Sequence, residues 1–228
     1  MSLTVMTESI RAAVRSAGFW CIAAGVAIRL AWVKAAQAES FFYAHVQDSA
    51  LYHELAQRIM AEGLPLADPF AVAPLYGFFL AGVYSVTGLD PSAVYLLQIG
   101  LSAVTIGLTV HLGRQLFGTA GAVTGGLVAA LYPVAVLFDV RLLSVTLGTT
   151  MTVALAVLAH RAWQSGRVFT WLGVGVLLGA GALVRGNLLL VAPWLLVVAL
   201  WRGRLRLAVP MVLGLMLSLA PATWHNHS

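Results

Sequence analysis

The sequence has 228 residues, of which 61% are hydrophobic and only 9% are charged. A typical soluble domain carries about 25% charged residues, so this composition excludes an ordinary soluble protein and indicates an integral membrane protein. The net charge of +5 comes from basic residues scattered between apolar runs, without the basic stripe of a nucleic-acid-binding protein. We therefore expect an all-α protein whose main partner is the lipid bilayer, with no nucleic-acid partner.

The first apolar run, residues 17–36, is predicted to be a retained membrane span. The residues Ala36-Gln37-Ala38 resemble a signal-peptide cleavage site, but the run is long for a signal-peptide core and basic residues interrupt it near its end. Arg29 lies inside this span, where we expect its side chain to reach the membrane boundary or to pair with an external acid.

The longest polar stretch, about residues 37–91, is predicted to be a first extracytoplasmic loop with amphipathic interfacial helices. In 47–62, Leu51, Leu55 and Ile59 recur at the four-residue spacing of one helix face. Gly63 is expected to end this helix. A second helix over 73–88 would pack obliquely against the bundle without crossing the membrane.

Asp48 opens the first of these interfacial helices and has two possible roles. It could be an N-cap, a common use of Asp at a helix start. It could also present a carboxylate at the membrane surface that takes a proton from an acceptor hydroxyl. The two roles are compatible, because one carboxylate oxygen can cap while the other faces a substrate.

The remaining apolar stretches are long enough to give a seven-span topology. They are 92–112, 119–138, 142–160, 168–184, 187–201 and 207–224. If 73–88 does not cross, eight Arg residues are cytoplasmic and four basic residues are external, as the positive-inside rule favours. The N-terminus is then cytoplasmic, and the first loop, the C-terminus and seven of the eight acidic residues are extracytoplasmic. We expect a multi-pass protein of the inner (plasma) membrane.

Several short motifs, weak alone, occur together in order and spacing that resemble the GT-C membrane glycosyltransferases of the dolichyl-phosphate-mannose protein mannosyltransferase-like group. The motifs are Asp48-Ser49-Ala50-Leu51-Tyr52, His53-Glu54-Leu55-Ala56, Pro74-Leu75-Tyr76, Gly88, Gln98, Arg114-Gln115-Leu116-Phe117-Gly118, Leu131-Tyr132-Pro133, Leu142-Leu143-Ser144, Leu183-Val184-Arg185 and Ala220-Pro221 before Asn226. The resemblance implies one GT-C-like module over residues 1–228, as the N-terminal part of a longer protein.

The resemblance also implies inverting transfer of a sugar from a polyprenyl-phosphate donor to a glycan, lipid or protein acceptor. Asp48 aligns with the family's general base, and Tyr52, Glu54 and Tyr76 are the expected substrate contacts. A phosphate leaving group needs positive charge, for which Arg185 and Arg141 at external span ends are candidates. Either arginine could instead be an ordinary boundary residue of its span.

The sequence departs from the family pattern at acidic positions, where it has Ser49 and Val145. These departures leave open whether a divalent metal assists, and we predict no metal ligands and no firm cofactor. They also keep a second hypothesis open, a non-catalytic scaffold derived from the enzyme, with a transporter as a third. His225 and His227 are expected to form a polar tail, because no third metal ligand stands at a suitable spacing.

Overall fold

The computed structural model describes residues 3–38, 47–63, 66 and 68–227, and those residues contain α-helices and no strand. The helices are α1 (Leu3–Ala36), α2 (Asp48–Glu62), α3 (Pro74–Thr87), α4 (Pro91–Leu131), α5 (Pro133–Phe138), α6 (Val145–Ser165), α7 (Val168–Val184), α8 (Val191–Trp201) and α9 (Ala208–His227). Short 3-10 turns over Gly186–Leu190 and Leu205–Leu207 precede α8 and α9.

Four helical segments in the described part of the chain are long and apolar enough to cross a membrane. They are Ala17–Ala36, Pro91–Leu131, Val145–Ser165 and Leu205–Asn226. Three shorter apolar helices accompany them, Pro74–Thr87, Val168–Val184 and Gly186–Trp201. The predicted all-α membrane class is therefore confirmed, whereas the count of seven spans remains a prediction.

The longest helix, α4, is two helices joined at Gly118. Gly118 has φ 69° and ψ −153°, a conformation that glycine adopts without steric cost. The backbone of Gly113 touches that of Gly121, and Thr109 lies against Gly125, so the two limbs run antiparallel. The break falls between the predicted spans 92–112 and 119–138.

The chain divides into two compact units, and the first contains residues 1–44 and 95–141. Within it, Gly18 lies beside Val110 and Gly25 beside Ile106, so α1 runs antiparallel to the first limb of α4. Cys21 touches Gly126, and Gly25 touches Ala130, so α1 runs parallel to the second limb. Helix α1, the first limb of α4 and its second limb therefore run in alternating directions.

A buried ion pair joins the helices of the first unit. Arg29 Nε lies 2.5 Å from Asp139 Oδ2, and both side chains are only 2% exposed. Ser102 donates to the same carboxylate oxygen at 2.6 Å, while the Arg29 guanidinium also donates to the carbonyl of Ala130 at 2.9 Å. Of the two expectations for Arg29, pairing with an acid is confirmed and extension to the membrane boundary is wrong. The partner, Asp139, was counted among the loop acids but is buried.

The second unit contains residues 45–94 and 142–228. Met151 lies against Gly181 and Leu158 against Gly173, so α6 and α7 are antiparallel. Helices α7 and α9 are parallel and touch through their backbones. Gly175 meets Met211, and one turn later Gly179 meets Leu215, the close approach that small residues permit between membrane helices.

Helix α2 packs on α3 within the second unit. Leu55 sits over Gly77, whose missing Cβ leaves room for it. The buried face of α2 is formed by Ser49, Tyr52, Leu55 and Ala56, so the predicted apolar face is only partly right. Leu51, predicted on the same face as Leu55, is 45% exposed.

Candidate active site

Helix α2 presents three of the sequence-predicted residues. Asp48 is the first helical residue, and Gln47 with φ 52° occupies the N-cap, so the N-cap interpretation of Asp48 is wrong. The Asp48 side chain is exposed and has no hydrogen-bond or ion-pair partner among the described residues. A carboxylate in the first turn is stabilised by the helix dipole and stays available to a substrate.

Tyr52, one turn after Asp48, links α2 to the start of α6. Its hydroxyl donates to Ser144 Oγ over 3.4 Å, a long hydrogen bond. Its ring meets Tyr76 edge to face at 4.9 Å, and Tyr76 itself is fully buried. These contacts fix the side of α2 that bears Asp48, because Tyr52 lies on the same helix face. Ser144 belongs to a family motif, but sequence reasoning did not identify it as the partner of Tyr52.

Arg185 follows α7 directly and reaches the same first turn of α6. A Cβ built on Gly148 would lie 2.8 Å from Arg185 Cδ, so the aliphatic stem of the arginine crosses this glycine. The residue is exposed. The guanidinium and the positive end of the α6 dipole together favour an anion. Ser144 and Gly148 thus bring Tyr52 and Arg185 to one end of the second unit, which we call the loop end.

Glu54 lies on another side of α2, along a small cavity of about 190 Å³ whose lining includes Leu51, Arg58 and Phe70. Arg58, which lines this cavity, forms ion pairs with Glu62 at 3.2 Å and with Asp68 at 3.1 Å. The Glu54 carboxylate is exposed, and the structure does not place it on the Tyr52 face.

A second hydrogen bond on α2 was not anticipated. His53 Nδ1 lies 3.0 Å from the hydroxyl of Tyr84, and the two rings meet edge to face. Burial raises the pKa of Tyr84 to about 12, with the nearby Asp90 charge adding to the effect. Burial lowers the pKa of His53. At neutral pH the imidazole is therefore neutral and the phenol is protonated, so either group can be the donor.

The loop end also carries an apolar cavity of about 660 Å³. Its lining residues are Phe70, Pro74, Leu75, Phe78, Leu183, Ser218, Pro221, Ala222, Trp224 and His225. They come from the start of α3 and the C-terminal ends of α7 and α9. A cavity of this size and lining suits a hydrocarbon chain.

The end of α9 is tied to the segment before α3. The backbone N–H of Phe70 donates to Asn226 Oδ1 at 3.0 Å, and the ring of His225 lies 4.4 Å from that of Phe70. The prediction of a solvated polar tail is therefore wrong for His225. The side chain of His227 lies outside the described residues.

Arg141, the second predicted phosphate ligand, belongs to the first unit and is half-buried. Its carbonyl accepts a hydrogen bond from Gln98 Nε2 at 2.9 Å. Of the six predicted site residues, the structure gathers Tyr52, Tyr76 and Arg185 around the start of α6. In the described part of the chain, no three His, Cys, Asp or Glu side chains form a metal-binding group.

Comparison with known proteins gives one match. Residues 71–225 match the family described as dolichyl-phosphate-mannose-protein mannosyltransferase, a span that includes Tyr76, Arg141 and Arg185 and begins after Asp48. No curated protein and no solved structure matches the chain. The match covers more than half of the sequence, and the chain belongs to this mannosyltransferase family, whose members are glycosyltransferases of the GT-C type.

Proposed function

We propose that the chain is an inverting glycosyltransferase that moves a sugar from a polyprenyl-phosphate donor to an acceptor at the extracytoplasmic membrane face. The observation that carries the proposal is the meeting of α2 and Arg185 on the first turn of α6. Tyr52 touches Ser144 there, and the stem of Arg185 crosses Gly148. An exposed acid-bearing helix and an exposed cation thus share one end of the second unit.

The chemistry assigned to these groups is a single displacement. Asp48 takes the proton from the acceptor hydroxyl as its oxygen bonds to the anomeric carbon. The bond from that carbon to the phosphate oxygen breaks, the sugar inverts, and polyprenyl phosphate leaves. Arg185 stabilises the charge that develops on the leaving phosphate, and Arg141 is the second proposed ligand. Tyr52, Glu54 and Tyr76 are proposed to shape the substrate site.

The apolar cavity supports a lipid-linked donor. It lies beside Leu183, two residues before Arg185, and opens among the ends of α3, α7 and α9. A hydrocarbon chain in this cavity would keep its phosphate near the guanidinium. Isoprenoid carbons would gain the usual transfer free energy of about 0.8 kcal/mol per buried methylene group.

Helix directions support the proposed seven-span topology. Since α1 runs antiparallel to the first limb of α4, the chain leaves α1 and enters α4 at the same end of the first unit. One crossing by α3 alone would put these ends on opposite sides. In the second unit the parallel course of α7 and α9 requires α8 to return the chain. The side of the membrane rests on the arginine count of the loops, which favours a cytoplasmic N-terminus.

The test uses the full chain in lipid nanodiscs with labelled polyprenyl-phosphate sugars and extracted membrane acceptors. Asp48→Asn is expected to lower the transfer rate by about 10²–10⁴-fold, the usual contribution of a general base. Glu62→Gln is the matched control, an exposed acid at the other end of α2. Equal rates for wild type and Asp48→Asn would remove Asp48 as the base.

One observation favours the second hypothesis, a non-catalytic scaffold. Ser49 stands where many relatives have an acid, and its side chain is only 8% exposed. A small buried residue therefore replaces a charged one directly after Asp48. If wild type transfers no sugar from any donor yet binds polyprenyl phosphate in an Arg185-dependent manner, the scaffold is the better description.

A further inference from the structure

Five arginines are exposed at the end of the second unit opposite to the loop end. They are Arg161, Arg167, Arg202, Arg204 and Arg206. Helix α6 has 21 residues, so about 30 Å separates its start at the loop end from its last turn. That distance is close to the thickness of a bilayer core. We call this set of five arginines the basic end.

Contacts between the α6–α7 loop and the α8–α9 loop hold the basic end together. Arg204 donates from Nη1 to the carbonyl of Trp163 at 3.1 Å, and its guanidinium lies 5.7 Å from the ring of that tryptophan. Trp163 in turn meets Trp171 edge to face at 5.5 Å. The loop between α8 and α9 is thereby fixed against the corner between α6 and α7, and the arginines of both loops share one face.

No carboxylate from these loops neutralises the basic end. The sequence after Asp139 contains seven Arg residues and neither Asp nor Glu. The acids of the second unit all belong to the segment that contains α2 and α3. Like charges gathered on one face, with no carboxylate in their own loops, attract anions.

Large apolar side chains beside the arginines indicate where those anions are. Phe169 is 84% exposed and Trp201 is 82% exposed, and both flank the loops of the basic end. Exposed aromatic residues next to arginines at the end of a membrane helix bundle are typical of the headgroup region. The phosphates at that depth belong to membrane phospholipids.

We propose that the basic end is a binding site for anionic glycerophospholipids of the adjacent leaflet. The guanidinium groups bind the phosphodiester through paired N–H donors, while Trp201 and Phe169 lie among the upper acyl carbons. Arg167 and Arg206 supply much of the attraction, since neither side chain has a hydrogen-bond partner among the described residues. The site is independent of sugar transfer and goes beyond the proposed function.

The test measures lipid binding by the purified full chain in neutral detergent with native mass spectrometry. Wild type is expected to bind dioleoylphosphatidylglycerol at least tenfold more tightly than dioleoylphosphatidylcholine. Arg167→Gln combined with Arg206→Gln should weaken phosphatidylglycerol binding roughly 30-fold, since each arginine near an anionic surface is worth about fivefold. Replacing both arginines by lysine should keep most of the preference for phosphatidylglycerol over phosphatidylcholine. That result would show that positions 167 and 206 tolerate substitution.

The matched control is Arg58→Gln, which removes an arginine of α2 that is already paired with Glu62 and Asp68. It is expected to leave phosphatidylglycerol binding unchanged, and free inorganic phosphate should not compete. Equal binding of the two lipids by wild type would overturn the proposal. So would a well-folded Gln double variant that binds as wild type does, or an equal loss in the Arg58→Gln control. All readouts are made without a sugar donor, so they are separate from the test of glycosyl transfer.

Discussion

In the first unit a buried ion pair joins the helices, whereas the ion pairs described in the second unit lie at its surface. Arg29 and Asp139 are each 2% exposed. Arg58 is 31% exposed, and its partners Glu62 and Asp68 are 42% and 73% exposed. The helices of the second unit are instead brought together by glycines, as at the contact of Gly175 with Met211.

The difference separates charges that hold a unit together from charges that stay exposed. The Asp139 carboxylate already accepts hydrogen bonds from Arg29 and Ser102, and Gln98 donates to the backbone carbonyl of the same residue, so this buried group is satisfied within its own unit. A unit whose helices pack through glycine contacts needs no buried ion pair between them, so its charged side chains can stay at its two ends. There, Asp48 and Arg185 remain exposed at one end and the basic end remains exposed at the other.

The largest expected effect comes from removing half of the buried pair. Asp139→Ala should lower the free energy of unfolding by about 3–5 kcal/mol, because Arg29 would keep its charge without a partner. Chemical or thermal unfolding in detergent measures the loss. The double variant Arg29→Met/Asp139→Leu should lose much less, since neither charge remains. A double variant as unstable as the single one would contradict this account.

The next effect tests packing by shape in the second unit. A Cβ at position 175 would collide with the carbonyl of Met211, so Gly175→Ala should lower the free energy of unfolding by about 1–3 kcal/mol. Gly173→Ala is the matched control, because its Cβ would meet only Leu158 at 3.6 Å. The control should be neutral or slightly stabilising. Equal losses at both positions would contradict the proposed contact.

A smaller effect depends on pH. Burial lowers the pKa of His53 below its ordinary value of 6.5, so the unfolded chain binds this proton more readily than the folded chain. The resulting stability is complete above pH 6.5 and is lost as the pH falls toward the lowered value. The melting temperature measured from pH 8 down to pH 5 should show this loss. In His53→Gln, the part of the pH dependence that comes from His53 should disappear. A pH profile that is identical in the variant would exclude His53 as the source.

The smallest effect is expected at the surface pairs of the second unit. Arg58→Gln should leave the unfolding midpoint unchanged within error, because exposed ion pairs contribute little and salt screens them. The same thermal assay in low salt provides the check. A clear destabilisation would mean that Arg58 acts as more than a surface partner, and would weaken the contrast with Arg29.

Much of the fold could be predicted because hydrophobic runs and glycines act locally. The predicted break between 92–112 and 119–138 coincides with Gly118, whose positive φ turns the chain. The predicted helix over 47–62 matches α2 within one residue, and Gly63 ends it as expected, while its interfacial position stays a prediction. The sequence pattern alone could not show which of its residues are buried, because that depends on packing against α3.

The missed features depend on residues far apart in the sequence. Arg29 and Asp139 are 110 positions apart, and nothing in either local pattern indicates their contact. His225 packs on Phe70, which precedes it by 155 positions, so a polar C-terminal end was read as a tail. The Tyr52–Ser144 contact is of the same kind. The role of Asp48 was assigned from the family resemblance and stays a prediction.

The buried pair of the first unit also constrains biosynthesis. Arg29 enters the membrane with the first span, but its partner is made 110 residues later. At translation rates of about 5–20 residues per second, the charge waits roughly 5–20 s for Asp139. During that interval the apolar remainder of the span must offset about 2.5–3.5 kcal/mol for an unpaired arginine near its centre. Assembly of the first unit is therefore completed only after α4 and α5 have been made, because Asp139 follows both of them in the chain.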